Sequence, residues 1–136
     1  EERSRPVLYV HNAFLYCFFG YSAGMYMSSV ERLSIKSAKS KWEVVPYNNA
    51  SSIDLGMIGC GIIPAKNDAI YIIGGKNTII LCSVIMFEFK SNSFTLQDFS
   101  LEEPSYFKES NFIKFKDGDN GLFNEQLNQL LKLGLS

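Results

Sequence analysis

Apolar tracts separated by short polar segments run along most of the chain. Tracts of about four to eight residues that are rich in Val, Ile, Tyr and Phe are typical of β-strands, and glycine or polar clusters end them. The first tract, 7–10, is apolar throughout and predicts a buried strand, and His11-Asn12 predicts a turn. Over the first fifty residues the pattern predicts four strands, at 7–10, 14–19, 30–35 and 42–45.

The same order of tracts recurs in the second part of the chain. Tyr16 aligns with Tyr71 at a shift of 55 residues, and Val30 aligns with Val84 at a shift of 54. A polar segment with Pro64 predicts a turn in this unit. The predicted strands of the second unit are 57–63, 70–73, 84–89 and 94–99. A period near 50 residues is a signature of repeat architectures, among them β-propellers.

A third unit begins and then departs from the pattern. The tract 112–115 resembles a first strand, and 116–120 predicts a turn. The apolar positions of 121–133 have helical spacing, which favours a helix, and a second strand of a truncated unit is the competing interpretation. The sequence thus predicts one region with three parts, at 5–52, 53–104 and 105–136.

The second unit carries a specific resemblance. The tract Ile70-Tyr-Ile-Ile-Gly-Gly75, a strand that opens Ser83-Val84, and Phe94 beyond a polar turn together resemble a kelch repeat. Both units depart from that family in part. Phe19-Gly20 stands where the family has Gly-Gly, and Ile35 and, in the second unit, Phe87 or Phe89 stand where it has Tyr. The resemblance implies an all-β fold, a segment of a kelch-like β-propeller made of antiparallel four-stranded blades.

Propeller blades bury both faces against their neighbours. We therefore expect Trp42 and Phe94 to fill the space between blades as core residues. Propellers close with about 4–8 blades, whereas this chain supplies two and part of a third. An open stack exposes the apolar faces of its end blades. We expect further blades from the same or another chain, and we favour a larger polypeptide over assembly with other chains.

Composition and charge exclude several classes of function. The net charge is −1 over 136 residues, which gives no indication of nucleic-acid binding. The longest apolar run, 13–19, is far shorter than the roughly 20 residues of a membrane helix, so we expect no membrane insertion. Three cysteines without a close pair predict buried, reduced thiols and a cytoplasmic protein, with the cytoskeleton as one candidate association.

The sequence shows no constellation of catalytic or ligand-binding residues. His11 is the single histidine and is interpreted as a turn residue. The glycines of 56–61 lack the spacing of a phosphate-binding loop, and 117–120 lacks the spaced oxygen ligands of a calcium loop. We therefore predict a protein that is not an enzyme, with no cofactor and no metal.

Two connecting segments carry apolar and aromatic residues where loops are usually polar. Both follow a strand that ends in glycine, and the resemblance implies that such loops form a partner surface. An alternative is that these side chains fold back over the edge of the sheet. The candidate partner-binding residues are Tyr21, Met25, Tyr26, Met27, Lys76, Asn77, Ile79 and Ile80.

The predicted function is a non-catalytic scaffold that binds one or more protein partners. Its alternative is an accessory propeller of an enzyme, such as a ubiquitin-ligase substrate receptor or a propeller oxidase or hydrolase, whose chemistry lies outside this segment. A purely structural subunit of a large cytoskeletal or organellar assembly is a third interpretation.

Overall fold

The computed structural model of the protein describes residues 2–103. Within that range the chain forms ten β-strands and no helix. The strands are β1 (Val7–His11), β2 (Phe14–Phe18), β3 (Tyr21–Ser22), β4 (Met25–Tyr26), β5 (Val30–Ser34), β6 (Glu43–Val44), β7 (Gly61–Ala65), β8 (Ala69–Ile73), β9 (Ser83–Glu88) and β10 (Ser93–Ser100). This confirms the predicted all-β fold class.

The strands form two four-stranded antiparallel sheets and one small hairpin. Sheet 1 has the order β1-β2-β5-β6, sheet 2 has the order β10-β9-β8-β7, and β3 pairs with β4 alone. Both large sheets are meanders, in which strands adjacent along each sheet pair through short connections. The strand count and direction agree with the antiparallel four-stranded units predicted from the sequence.

The two sheets have the same register. Phe18 pairs with Val30 in sheet 1, and Ile73 pairs with Val84 in sheet 2, at the offsets of 55 and 54 seen in the sequence. Tyr16 and Tyr71 lie at the same position of the second strand. The backbone repeats as well, because positive φ angles recur at five matched pairs: Arg5 and Gly59, Asn12 and Asn67, Ala13 and Asp68, Phe19 and Gly74, and Gly20 and Gly75.

The main core lies between the two sheets. The inner face of sheet 1 is aromatic and includes Tyr9, Tyr16 and Phe18, whereas the facing side of sheet 2 carries mainly Ile and Phe. Phe18 contacts Phe87 at 5.1 Å between ring centroids, in an edge-to-face arrangement that aromatic pairs favour. A smaller cluster of Ile63, Ile73, Val84 and Leu101 lies on the other face of sheet 2.

Several predictions about strands were wrong in detail. The first strand is buried on one face only, because the side chains of Leu8 and Val10 are exposed on the other. His11 ends that strand and stacks on Phe89, with 3.9 Å between ring centroids, so it is not a turn residue. Pro64 lies inside β7 instead of a turn, which is possible because β7 is an edge strand and needs no further N–H donor.

The prediction for Trp42 was also wrong. Its side chain is 44% exposed, whereas that of Phe94 at the equivalent position is 2% exposed. Phe94 belongs to the core between the two sheets, whereas Trp42 lies outside that core and has no described sheet against it. Cys17 and Cys60 are buried as predicted, but Cys82 is only partly buried. The strand, turn and helix predicted at 112–133, and the part 105–136 as a whole, lie outside the described residues.

Candidate protein interface

The first candidate segment is a small hairpin. Tyr21 pairs with Tyr26 across β3 and β4, and their rings meet edge to face at 5.2 Å. Ala23 and Gly24 form its tip, with φ angles of 50° and 81°. Two consecutive positive φ angles are the mark of a tight two-residue hairpin, for which glycine is well suited. The sequence prediction of an irregular connection missed this hairpin.

The hairpin is fixed to the chain before β1. The N–H of Ser4 donates to the carbonyl of Tyr21 at 2.8 Å, and the N–H of Tyr21 donates back to Ser4 at 2.9 Å. The N–H of Met27 donates to the carbonyl of Gly20 at 2.7 Å and closes the loop at its base. These backbone bonds fix the position of the segment that carries the exposed side chains.

The second segment has the same backbone bonds, and a single antiparallel bridge between Lys76 and Ile80 stands where the first segment has its two-stranded hairpin. Lys76 and Ile58 exchange two N–H to carbonyl bonds of 2.8 Å, and the N–H of Leu81 donates to Gly75 at 2.8 Å. The Asn77 side chain accepts a bond from the N–H of Ile79 at 3.1 Å, which shapes the turn. This connection is one residue shorter than its counterpart, since Gly75 to Leu81 replaces Gly20 to Met27.

The structure brings the two segments into contact. The hydroxyl of Tyr26 donates to the carbonyl of Asn77 at 2.9 Å, although 51 residues separate them in sequence. Gly56 lies beneath Tyr26, and a Cβ added to Gly56 would stand 3.2 Å from the Tyr26 Cβ. The amide of Asn77 lies 3.4 Å from a carboxylate oxygen of Asp54. We call the eight candidate residues together the connection surface.

Exposure separates the connection surface into two groups. Met25 is 68% exposed and Ile79 is 64% exposed, and the two occupy equivalent positions at a shift of 54. Tyr21 and Ile80 are also exposed, but Tyr26 and Met27 are half-buried. The alternative that side chains fold back therefore applies to Tyr26 and Met27, while a partner surface at the exposed residues stays a prediction. Met25 and Ile79 project to solvent, whereas Tyr26 folds back and holds the second segment.

The sequence prediction missed Asp54 and Gly56. Both lie at the start of the predicted part 53–104, and Gly56 was considered only as one of the glycines of 56–61. The carboxylate of Asp54 accepts a bond from the N–H of Gly56 at 3.3 Å, which is the local turn that acidic residues favour. The turn contacts Tyr26 through Gly56 and Asn77 through Asp54, and no local signal in the sequence encodes such long-range contacts.

Burial and hydrogen bonds raise the pKa values of several ionisable groups near the core. Burial raises the pKa of the Cys60 thiol from 9.0 to about 12, and it raises the pKa of the Tyr9 hydroxyl. Hydrogen bonds to Tyr16 and then Glu43 raise the pKa of the Arg32 guanidinium. Among residues 2–103, no three or more His, Cys, Asp or Glu side chains lie together in a way that could hold a metal ion.

No protein-family model and no curated protein sequence matches the chain. Within the described range, none of the elements is a helix of the length and apolarity needed to cross a membrane.

Proposed function

We propose that this chain is a protein-binding scaffold module of the kelch-like propeller type, and that the connection surface receives the partner. The observation that carries the proposal is the exposure of Met25 and Ile79 at equivalent positions of the two units. Apolar side chains held by fixed backbone in solvent are typical of protein interfaces. Methionine adds a flexible, polarisable contact that adapts to a partner.

The rigid support beneath the surface favours binding over a chance exposure. Backbone bonds fix both segments, and Tyr26 links them into one ridge across the two sheets. A surface that is ordered before binding loses little conformational entropy on association. The proposed mechanism is therefore presentation of apolar side chains on a stiff scaffold, without catalysis. Three free cysteines support a reducing compartment such as the cytoplasm.

The test compares two pairs of substitutions in the same chain. Met25→Ser with Ile79→Ser removes the exposed apolar groups of the connection surface and leaves Tyr26 in place. Thr95→Ser with Leu96→Ser is the matched control, because these exposed residues lie on β10, outside the connection surface. Both variants and the parent chain serve as bait in cell extract, and retained proteins are quantified by mass spectrometry.

We expect at least one protein retained by the parent and by the control to be lost from the Met25→Ser/Ile79→Ser variant. Circular dichroism and the melting temperature should change little, since exposed side chains contribute little to stability. Equal retention by all three chains contradicts the proposal. Unfolding of the Met25→Ser/Ile79→Ser variant also contradicts it, because these side chains would then be core.

A further inference from the structure

The connection between β5 and β6 is the most basic segment of the described chain. Residues 36–41 contain Lys36, Lys39 and Lys41 and no acidic residue, and we call this segment the lysine turn. The ion pairs formed within residues 2–103 join arginines to glutamates, so no carboxylate there neutralises these three ammonium groups. The lysine turn is therefore a concentrated positive charge on a protein whose net charge is −1.

The lysine turn is exposed and only weakly held. Every residue of 35–44 except Ser40 is exposed to solvent. Over 36–42 a single backbone-to-backbone hydrogen bond forms among the described residues, from the N–H of Ser40 to the carbonyl of Ser37 at 3.2 Å. A segment with few backbone bonds and few buried contacts opens locally at low cost. Exposed loop tips are the sites at which enzymes such as proteases reach the backbone of a folded chain.

Three serines lie at or within the lysine turn, and they differ in exposure. Ser34 ends β5 and is half-buried, as is Ser40, whereas Ser37 is exposed. The Ser37 oxygen accepts a hydrogen bond from the N–H of Lys39 at 3.2 Å, and its own O–H donates to no group among residues 2–103. The lysine turn thus presents the Ser37 hydroxyl to solvent among three lysines.

The equivalent turn of sheet 2 is shorter, less basic and better held. It covers 90–93, two residues fewer than the lysine turn, and Lys90 is its one lysine. The N–H of Asn48 donates to the carbonyl of Asn92 at 2.8 Å, so a neighbouring segment is bonded to this turn. Ser91 is exposed and directly follows a lysine. It is therefore a matched control within the same chain.

We propose that Ser37 is a phosphorylation site for a serine kinase that selects basic segments. Such a kinase binds its substrate in an acidic cleft, and charge patterns of this kind decide which substrates a kinase accepts. The lysines stand one residue before Ser37 and two and four residues after it, and no acidic residue lies within five positions on either side. This inference is independent of the connection surface.

The phosphoryl donor is ATP with Mg²⁺. The Ser37 oxygen forms a bond to the γ-phosphorus, the bond from that phosphorus to the leaving oxygen of ADP breaks, and the hydroxyl proton passes to the catalytic carboxylate of the kinase. Phosphate adds a charge of about −1.5 to −2 near neutral pH, so it removes more than half of the positive charge of the lysine turn. Phosphate oxygens also accept charge-assisted hydrogen bonds from ammonium groups, so the folded turn accommodates the modification.

The test incubates the full chain with ATP, Mg²⁺ and a purified serine kinase of the class that prefers basic substrates. Phosphate is mapped over time by mass spectrometry. Among the serines and threonines of residues 2–103, we expect Ser37 to be modified first and Ser91 more slowly. Ser37→Ala should lose this early phosphate. A kinase of the class that prefers acidic substrates should leave Ser37 unmodified, because it repels the lysines.

Two pairs of substitutions test the charge. Lys36→Gln with Lys39→Gln should slow the modification of Ser37 by about tenfold or more, since charge changes association rates by about 10–1000-fold. Lys66→Gln with Lys90→Gln removes the same charge from exposed lysines outside the lysine turn and should leave the Ser37 rate unchanged.

Unfolding of a variant would make the serine more accessible, so slower modification reports the loss of charge. Three results overturn the proposal: no phosphate on Ser37, equal rates at Ser37 and Ser91, and equal slowing by both pairs of substitutions.

Discussion

Sheet 1 and sheet 2 have the same strand register and the same backbone conformation. Three equivalent positions nevertheless differ, because they carry an ion pair in sheet 1 and only apolar side chains in sheet 2. Sheet 1 has Arg3, Cys17 and Glu31 there, whereas sheet 2 has Met57, Ile72 and Ile85. The Arg3 side chain lies beside Gly20 as the Met57 side chain lies beside Gly75, so the two sets are superposable. An ion pair and an apolar cluster therefore fill the same space.

The two sets of side chains are buried in different ways. The sheet 2 cluster belongs to the core shared by both sheets, so it depends on a neighbour. The Arg3 guanidinium instead donates to the carbonyls of Phe19 and Ser29 at 2.8 and 3.0 Å and to Glu31 at 2.5 Å. Its side chain is 4% exposed, although no second sheet covers it among residues 2–103. The terminal nitrogens of Arg3 are thus bonded within sheet 1, while its buried Nε has no hydrogen-bond partner in the described part of the chain.

The largest expected effect is the loss of stability on replacing Phe94, compared with the loss on replacing the equivalent Trp42. Phe94→Ala removes a ring that contacts Phe18, Phe19 and Tyr47, so it should lower the free energy of unfolding by about 3–5 kcal/mol. Trp42→Ala should cost about 1 kcal/mol or less, because that side chain is exposed. Urea unfolding of the two variants measures both values. Equal losses would show that Trp42 is packed as Phe94 is.

Arg3→Met tests the polar set alone. The substitution places the sheet 2 residue at the sheet 1 position but leaves the Glu31 carboxylate beside an apolar side chain. Breaking one side of a buried ion pair costs about 3–5 kcal/mol, and we expect the lower end because Glu31 keeps some exposure. Urea unfolding measures the loss, with Arg5→Met on the same segment as the exposed control. A loss no larger than that of the control contradicts the assigned role of Arg3.

The double variant Arg3→Met/Glu31→Ile replaces the two charged members of the sheet 1 set with their sheet 2 counterparts and leaves Cys17 in place. Well-packed apolar replacements of buried ion pairs are often neutral, so its free energy of unfolding should lie within about 1 kcal/mol of the parent. The single Glu31→Ile change should cost more than the double variant, because it leaves a buried guanidinium. Additive losses in this double-mutant cycle would show that the pair does not act as a unit.

The repeat could be predicted from the sequence because it depends on local patterns of apolar residues and glycines. Apolar tracts that end in glycine at Gly20 and Gly75 located the second strand of each sheet within one residue. The offset of 55 residues between Tyr16 and Tyr71 also relates Phe18 to Ile73, which occupy the same position in the pairing of the second and third strands of each sheet. The kelch resemblance, the scaffold function and the parts at 5–52 and 53–104 remain proposals.

The sequence could not predict what depends on a neighbour. Trp42 and Phe94 look alike as residues, and only the presence of sheet 1 against Phe94 separates their burial. The Arg3–Glu31 pair spans 28 residues, and a basic residue near the first strand gives no signal of burial. The Tyr26 contact with Asn77 is likewise a product of packing one unit on the next. Sequence patterns identify a face, but they do not show whether something covers it.

The smallest expected effect is a difference in the rate at which the cysteine thiols are alkylated. Burial raises the pKa of Cys17, but the positive charge of Arg3 opposes that rise, whereas Cys60 has burial alone and a pKa of about 12. Alkylation requires the thiolate. At pH 8.5 we therefore expect partly buried Cys82 to react first with iodoacetamide, then Cys17, and Cys60 last. Mass spectrometry of digested samples over time measures the order.

The Arg3→Met variant gives this prediction its control. Burial and the negative charge of Glu31 both raise the pKa of the Cys17 thiol, whereas the positive charge of Arg3 lowers it. Removing Arg3 alone should therefore raise the pKa of Cys17 and slow its reaction toward that of Cys60. In urea all three thiols should react at similar rates in both proteins, since the folded environment is gone. If Cys17 reacts equally fast in parent and variant, Arg3 does not act on the thiol, and the two sets would differ in packing alone.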